Sequence, residues 1–142
     1  MSAAAENLLA GSCLCGAVAF EVTAPPRAMG HCHCSMCRRQ HGTAFGTYVE
    51  VPRASFRYTR GAEQVATYRS SPGVARRFCG QCGTKLVFDM DAYPRSLSVA
   101  AGAFDSPLPL VPQYHIFVAS KAPWHDIHDA LPRFDAYPPD DA

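Results

Sequence analysis

Residues 78–84 read FCGQCGT. Cys79 and Cys82 stand two residues apart, and each is followed by a glycine, Gly80 or Gly83. This spacing predicts a tight turn that presents both sulfurs on one side. Its glycines supply the positive backbone torsions such a turn demands. Backbone N–H groups then point at the thiolates, as in a zinc knuckle. Period-two patterns flank the turn, Val74–Phe78 before it and Thr84–Phe88 after it. The stretch therefore reads as two strands joined at a metal-binding tip. Two thiolates only half complete a tetrahedral shell, so further ligands must come from elsewhere in the chain.

More strand patterns extend on either side. Val18, Phe20 and Val22 share one face of a segment that ends at Pro25-Pro26. Phe45, Thr47, Val49 and Val51 alternate with Gly46, Tyr48 and Glu50, and Pro52 stops the run. Shorter candidates lie at Ser55–Tyr58, Gln64–Tyr68, Leu97–Ala101 and His115–Ala119, separated by turn residues. Many short strands at such spacing predict a mainly β, antiparallel domain with little helix. Helix is expected only as one turn at Ser35–Gln40 and a short piece at Ala122–Leu131. Residues 1–10 read as a lead-in, 11–135 as one zinc-binding domain and 136–142 as a loose, proline-rich, acidic tail.

The chain of 142 residues suits a single domain. A formal net charge of +1 gives no global field toward nucleic acid or an anionic membrane, so neither is expected as a partner. No apolar run of about 18 residues predicts a membrane span. The opening MSAAAENLLAGS lacks a basic segment followed by a continuous apolar one. A cytoplasmic location is the resulting expectation, and cytosolic thiols stay reduced. Seven cysteines is also an odd number, which disulfides within one chain cannot consume. Metal ligation is the leading reading.

The cysteines fall into three groups: Cys13-x-Cys15, Cys32-x-Cys34-x2-Cys37 and Cys79-x2-Cys82. Cys13 and Cys15, followed by Gly16, are the natural partners of Cys79 and Cys82, although spacing alone permits other divisions. A closed four-cysteine site of this kind contributes folding free energy outright. That leaves Cys32, Cys34 and Cys37 for a second ion. Three protein ligands leave a fourth position for water or substrate, the pattern of a catalytic zinc. Alternatively His31, His33, His41 or His115 completes a closed three-cysteine, one-histidine site. An iron–sulfur cluster also uses cysteines, but the division into four and three fits zinc better. Three thiolates against Zn²⁺ leave one negative charge, which makes a weak Lewis acid with an affinity for soft sulfur. Such a site suits thiol chemistry, because the thiolate is the nucleophile.

Taken together, Gly11-Ser12-Cys13-Leu14-Cys15-Gly16, His33-Cys34-Ser35-Met36-Cys37-Arg38, the 78–84 turn and Lys121-Ala122-Pro123-Trp124 resemble one family. It is that of the glutathione-dependent formaldehyde-activating enzymes, which share a domain with centromere protein V. The resemblance implies a β-tent fold carrying two zinc ions. It implies a structural zinc on Cys13, Cys15, Cys79 and Cys82, and a catalytic zinc on Cys32, Cys34 and Cys37. It implies a carbon–sulfur lyase that forms or cleaves an S-hydroxymethyl adduct of glutathione and formaldehyde, with other thiols and aldehydes open. A non-catalytic interaction module with both zincs structural is the alternative.

The remaining residues carry weaker expectations. Arg38 is a possible contact for the thiol substrate, and Arg39 a solvated charge. Arg76 and Arg77 should point to opposite faces, one of them toward a metal site. His33, between two ligands, should point away from the metal. His115 reads either as a core histidine or as a remote proton-transfer group. His125 and His128 read as surface residues and Trp124 as a packed lid. Phe45, Tyr48 and Phe104 are candidates for a pocket wall.

Overall fold

The computed structural model describes residues 8–139. Residues 1–7 of the expected lead-in and 140–142 of the expected tail lie outside this range. The strands are β1 (Leu9–Ser12), β2 (Ala19–Val22), β3 (Ala28–Cys32), β4 (Gly46–Pro52), β5 (Phe56–Arg60), β6 (Val65–Ser71), β7 (Val74–Cys79), β8 (Lys85–Met90), β9 (Ser96–Ala100) and β10 (His115–Ile116). Among the described residues one α-helix, α1 (Ser35–His41), forms, and it follows β3. The fold is mainly β. Three strands form a small sheet in the order β1-β2-β5, and seven form a larger one in the order β10-β3-β4-β9-β8-β7-β6.

The two sheets meet through alternating apolar residues. Val18, Phe20 and Val22 of the small sheet pack with Val49, Val51, Val87 and Val99 of the large one, all nearly inaccessible to solvent. Burying a side chain such as Phe20 contributes about 2–3 kcal/mol. Gly11 makes the contact close: a Cβ there would lie 2.2 Å from the Phe20 ring and 2.5 Å from the Ala103 carbonyl oxygen.

The same alternation gives the large sheet a second, more polar face. Tyr48 and Glu50 leave β4 on that face, as do Ser96 and Ser98 on β9 and Phe88 and Met90 on β8. Register places Tyr48 opposite both Gly30 and Ala100, and Glu50 opposite both Ala28 and Ser98. A cavity therefore forms on the side of the sheet away from the core.

Three expectations fail near the C-terminus. Residues 122–131 form no helix. The His125 amide does bond to the Ala122 carbonyl, but the Lys121 ammonium takes that carbonyl as well as that of His125, so one turn forms and does not propagate. The strand expected at His115–Ala119 shrinks to two residues and pairs parallel with β3, in a sheet that is otherwise antiparallel. Phe117, with φ of 57°, adopts the left-handed conformation and ends it. Trp124 is no packed lid: it is 70% exposed, and the buried residue of its segment is Ala122.

Candidate metal and substrate site

The first cluster joins the β1–β2 turn to the β7–β8 turn. The Cys13 and Cys15 sulfurs are 3.6 Å apart, and those of Cys15 and Cys79 are 3.8 Å apart. All four sulfurs, with that of Cys82, lie within 4.8 Å of one another. A tetrahedral ion with metal–sulfur bonds of about 2.3 Å spaces its sulfurs at about 3.8 Å, so the set fits such an ion. The turns are built alike. Gly16 and Gly83, each with φ of 81°, receive the chain after the second cysteine and donate to the carbonyls of Cys13 and Cys79 at 3.1 and 2.8 Å. The Val18 amide donates to Cys13 Sγ at 3.3 Å.

Thr84 ties one turn to the other. Its hydroxyl accepts from the Leu14 amide at 3.0 Å, which leaves its own proton for Cys82 Sγ at 3.2 Å. The Thr84 hydroxyl and the Thr84 and Cys15 amides pull the Cys82 thiol down to about 5. The Ala17 amide acts in the same sense on Cys15, but desolvation and the sulfurs of Cys13, Cys82 and Cys79 push that thiol up to about 11. Four sulfurs this close ionise together only around a cation, which is the second reason that the set suits a metal.

The second cluster sits where β3 meets α1. Cys32 ends the strand, Cys34 caps the helix by accepting from the Cys37 amide at 3.3 Å, and Cys37 lies buried within the helix. Gly42, left-handed at φ of 66°, closes α1 by donating to the Arg38 carbonyl at 2.8 Å. The three sulfurs lie within 4.8 Å of one another. Hydrogen bonds from Cys32 and Cys37 hold the Cys34 thiol down to about 2, and Cys32 is pushed up by the same contacts. Without a cation, one negative charge is shared among three sulfurs.

Among the described residues, no histidine, aspartate or glutamate joins the three sulfurs at that distance. The nearby histidines are engaged elsewhere. His31 Nδ1 bonds the Thr47 hydroxyl at 2.7 Å, and His41 Nε2 bonds the Tyr48 hydroxyl at 2.8 Å. His33 does point away from the sulfurs, as expected, yet it is fully buried. Strand alternation sends Cys32 to the cavity face and His33 to the opposite one, where His33 Nε2 meets His115 Nδ1 at 2.8 Å.

Arg76 and Arg77 do part to opposite faces. Arg77 pairs with Asp89 at 2.6 Å. Arg76 is buried, donates to Cys37 Sγ at 3.6 Å and to the Tyr48 hydroxyl at 3.4 Å, and lies over the Phe88 ring. Burial opposes its charge, but the Cys37, Tyr48 and Cys34 side chains raise its pKa above the ordinary value. Tyr48 completes the group, with its hydroxyl 3.7 Å from Cys37 Sγ. Burial first, then the charge on Cys37, drives its pKa well above the ordinary phenol value. Tyr48 thus keeps its proton at any physiological pH.

Cys32 and Cys37 form part of the wall of a cavity of about 410 Å³, within the range of small-molecule sites. Tyr48, Phe88, Tyr93 and Tyr114 supply aromatic walls, and Tyr137 with Pro138 and Pro139 adds another. Tyr137 is seated by its hydroxyl on Met90 Sδ at 3.5 Å and by an edge contact with Phe117. Of the aromatic candidates, Tyr48 lines the cavity, Phe104 joins the core against Phe20, and Phe45 packs on His31 and His33. Arg38 does not line it, and its buried Nε has no hydrogen-bond partner. His128 is exposed, while His125 is half-buried near His33 and Phe45.

Asp129 and Glu50 were not singled out in the sequence. For Glu50 a signal existed: it shares the polar side of the β4 alternation with Tyr48. Asp129 reaches His115 from an irregular segment whose path no periodicity reveals.

Comparison with known proteins agrees with this arrangement. Residues 8–120 match the profile of the family described as glutathione-dependent formaldehyde-activating enzyme. A Halomonas elongata protein, provisionally named a glutathione-dependent formaldehyde-activating enzyme, is 36% identical over 129 residues, covering 84% of this chain and 81% of its own. A Schizosaccharomyces pombe protein described as an uncharacterized lyase is 32% identical over 78 residues, 55% of each chain. The crystal structure of a Rhodobacter sphaeroides protein superposes with a TM-score of 0.57 at 27% identity, covering 72% of this chain and 97% of its own. The match to the family profile spans both cysteine clusters, and on it the chain belongs to the family of glutathione-dependent formaldehyde-activating enzymes.

Proposed function

We propose that the protein is a zinc-dependent carbon–sulfur lyase that forms or cleaves an S-hydroxymethyl adduct between a small thiol and an aldehyde such as formaldehyde. One observation carries this reading: three clustered sulfurs, with no fourth ligand among the described residues, open through Cys32 and Cys37 into a cavity of substrate size. Cys13, Cys15, Cys79 and Cys82 are assigned to a structural zinc, and Cys32, Cys34 and Cys37 to the catalytic one. When bound there, zinc offers a fourth position at which an incoming thiol is held deprotonated.

The chain's own groups do the rest. The cavity walls hold the aldehyde carbon beside the substrate sulfur. A sulfur–carbon bond forms as the carbonyl π pair moves onto oxygen. That oxygen takes a proton from the Tyr48 hydroxyl, which its surroundings keep protonated. His41 Nε2, 2.8 Å from that hydroxyl, orients it, and the proton that the thiol releases on binding replaces the one that Tyr48 gives up. The proton lost by the thiol equals the one gained by the adduct, so none is consumed. Arg76 offsets the negative charge of the sulfur cluster. Arg38 follows Cys37 in α1 and does not line the cavity, so it is not among the residues that hold the thiol there. Seven reduced thiols suit the reducing cytoplasm as the setting.

The test combines metal counting with exchange kinetics between formaldehyde and a thiol panel. The expected result is near two zinc ions per chain and one thiol accelerated well above the uncatalysed rate. Two ions with no thiol accelerated would favour the alternative, a non-catalytic module with both zincs structural.

A further inference from the structure

The cavity that takes the substrate has an uneven charge. Among its described lining residues are four tyrosines, one phenylalanine and one carboxylate, but no lysine, arginine or histidine. Its one carboxylate, Glu50, is half-buried and has no ion-pair or hydrogen-bond partner among the described residues. Glu50 also lies close enough to Tyr114 for its charge, after burial, to raise that phenol's pKa.

Two arginines stand behind or at the edge of the wall without lining it. Arg76 is bonded to Ser70 Oγ at 2.8 Å, to Cys37 and to Tyr48, behind the wall formed by Tyr48 and Phe88. Arg27 is exposed and donates to Ser96 Oγ at 3.1 Å. Glutathione carries two carboxylates against one ammonium group, and none of the described wall residues is basic. An ammonium, by contrast, meets aromatic faces and an unpaired carboxylate, the two features that bind organic cations. Three thiolates around a divalent ion add a further negative charge nearby.

Building on the proposed thiol–aldehyde chemistry, we infer that the cavity selects a thiol carrying a net positive charge, an amine-bearing thiol without free carboxylates, over a dianionic-tailed thiol such as glutathione. The selecting residue is Glu50, and the tyrosine rings around it supply the contact surface. Position along β4 sets the scale. The residue opposite Cys32 is Gly46, four positions from Glu50, which is about 13 Å along the strand. The two side chains shorten that span, so sulfur and cation are separated by several bonds.

A matched pair of probes varies the carboxylate charge, and Glu50→Gln separates that charge from the apolar surface which the ethyl groups add. Glutathione and its diethyl ester share one thiol and one amine and differ in two masked carboxylates. With zinc-loaded protein, the diester is expected to show a kcat/KM for formaldehyde exchange at least tenfold above that of glutathione. Glu50→Gln is expected to shrink that ratio several-fold. A second readout is independent of turnover. In calorimetric titration, S-methylglutathione diethyl ester is expected to bind more tightly than S-methylglutathione, and Glu50→Gln to narrow the difference. Glutathione equal to or better than its ester in the titration, or a preference that Glu50→Gln leaves intact, overturns the inference. Acceleration of neither thiol, with the titration preference still present, would sink the proposed reaction and leave the charge selection standing.

Discussion

His33 Nε2 lies 2.8 Å from His115 Nδ1, and His115 Nε2 in turn lies 3.0 Å from an Asp129 carboxylate oxygen. The carboxylate fixes His115 Nε2 as a donor. With both rings neutral, His115 Nδ1 then accepts from His33 Nε2–H. His33 Nδ1 is left unprotonated, and it is buried without a partner. Asp129 thus sets the tautomer of a histidine between two metal-binding cysteines, from the opposite face of the sheet to the cavity.

Removing the middle of this chain should be costly. His115→Ala leaves His33 Nε2–H buried and unpaired, at an expected loss of about 1–3 kcal/mol. Asp129→Asn retains an oxygen that can accept from His115, so its expected loss is below about 1 kcal/mol. Chemical denaturation of the two variants checks the contrast. ¹⁵N chemical shifts of the histidine rings should report the Nε2–H tautomer for both His33 and His115.

Tyr48→Phe removes the proposed proton donor and little volume. Turnover should fall by about 10²-fold or more, the usual worth of a positioned general acid. KM for the thiol should change far less. A rise in KM with kcat unchanged would place Tyr48 in binding alone.

The two cysteine clusters should respond oppositely to mutation. Cys79→Ser opens the site that links the small sheet to the β7–β8 turn. It should destabilise the domain by several kcal/mol, in the range of structural metal sites. Cys34→Ser should abolish turnover while circular dichroism and the melting transition remain close to those of the parent. An unfolded Cys34→Ser protein would count against the division of roles between the clusters.

Acid should weaken the fold partly through His41. Burial first, then Arg76 and Lys85, lowers its pKa from an ordinary 6.5 to about 4. Above pH 6.5 neither the folded nor the unfolded state binds the proton, so the group has no effect. Between about 6.5 and 4 only the unfolded chain binds it, and stability declines as pH falls. Below about 4 both states bind it and the loss is complete, at about 1–3 kcal/mol after allowing for partial exposure. Denaturation of His41→Gln at pH 7 and pH 4.5 should lack this share of the parent's decline.

Gly30→Ala should disturb the cavity wall. A Cβ there would lie 2.1 Å from the Tyr114 ring, so the ring must move. A stability loss of about 1–3 kcal/mol is expected, together with a raised KM for the thiol. Thermal melts and steady-state kinetics on one preparation separate the two effects.

Much of the site was legible because its parts are local. A Cys-x2-Cys turn with two glycines states its own geometry, and the alternation in β4 separates Val49 and Val51 from Tyr48 and Glu50. The division of the seven cysteines into groups of four and three follows from which turns meet, where spacing alone permitted other divisions. The hidden parts depend on the irregular stretch after β9. Nothing periodic announces that His115 and Ile116 will pair parallel with β3, or that Asp129 and Tyr137 will return to opposite faces of the sheet. The apparent helix at 122–131 failed for the same reason. Its local pattern was weak, and the Lys121 ammonium competes for the carbonyls that the helix needed.

Tyr137, Pro138 and Pro139 close one side of the cavity, yet they lie beyond residue 120, where the match to the family ends. The metal-binding frame and this wall therefore occupy stretches of sequence that can diverge separately. Relatives sharing every cysteine are free to carry different C-terminal walls, and with them different substrates. Homology across the cysteines supports transferring the type of reaction from one member to another. Transferring the molecule acted upon requires comparing the cavity wall, Glu50 and the stretch beyond residue 120 together.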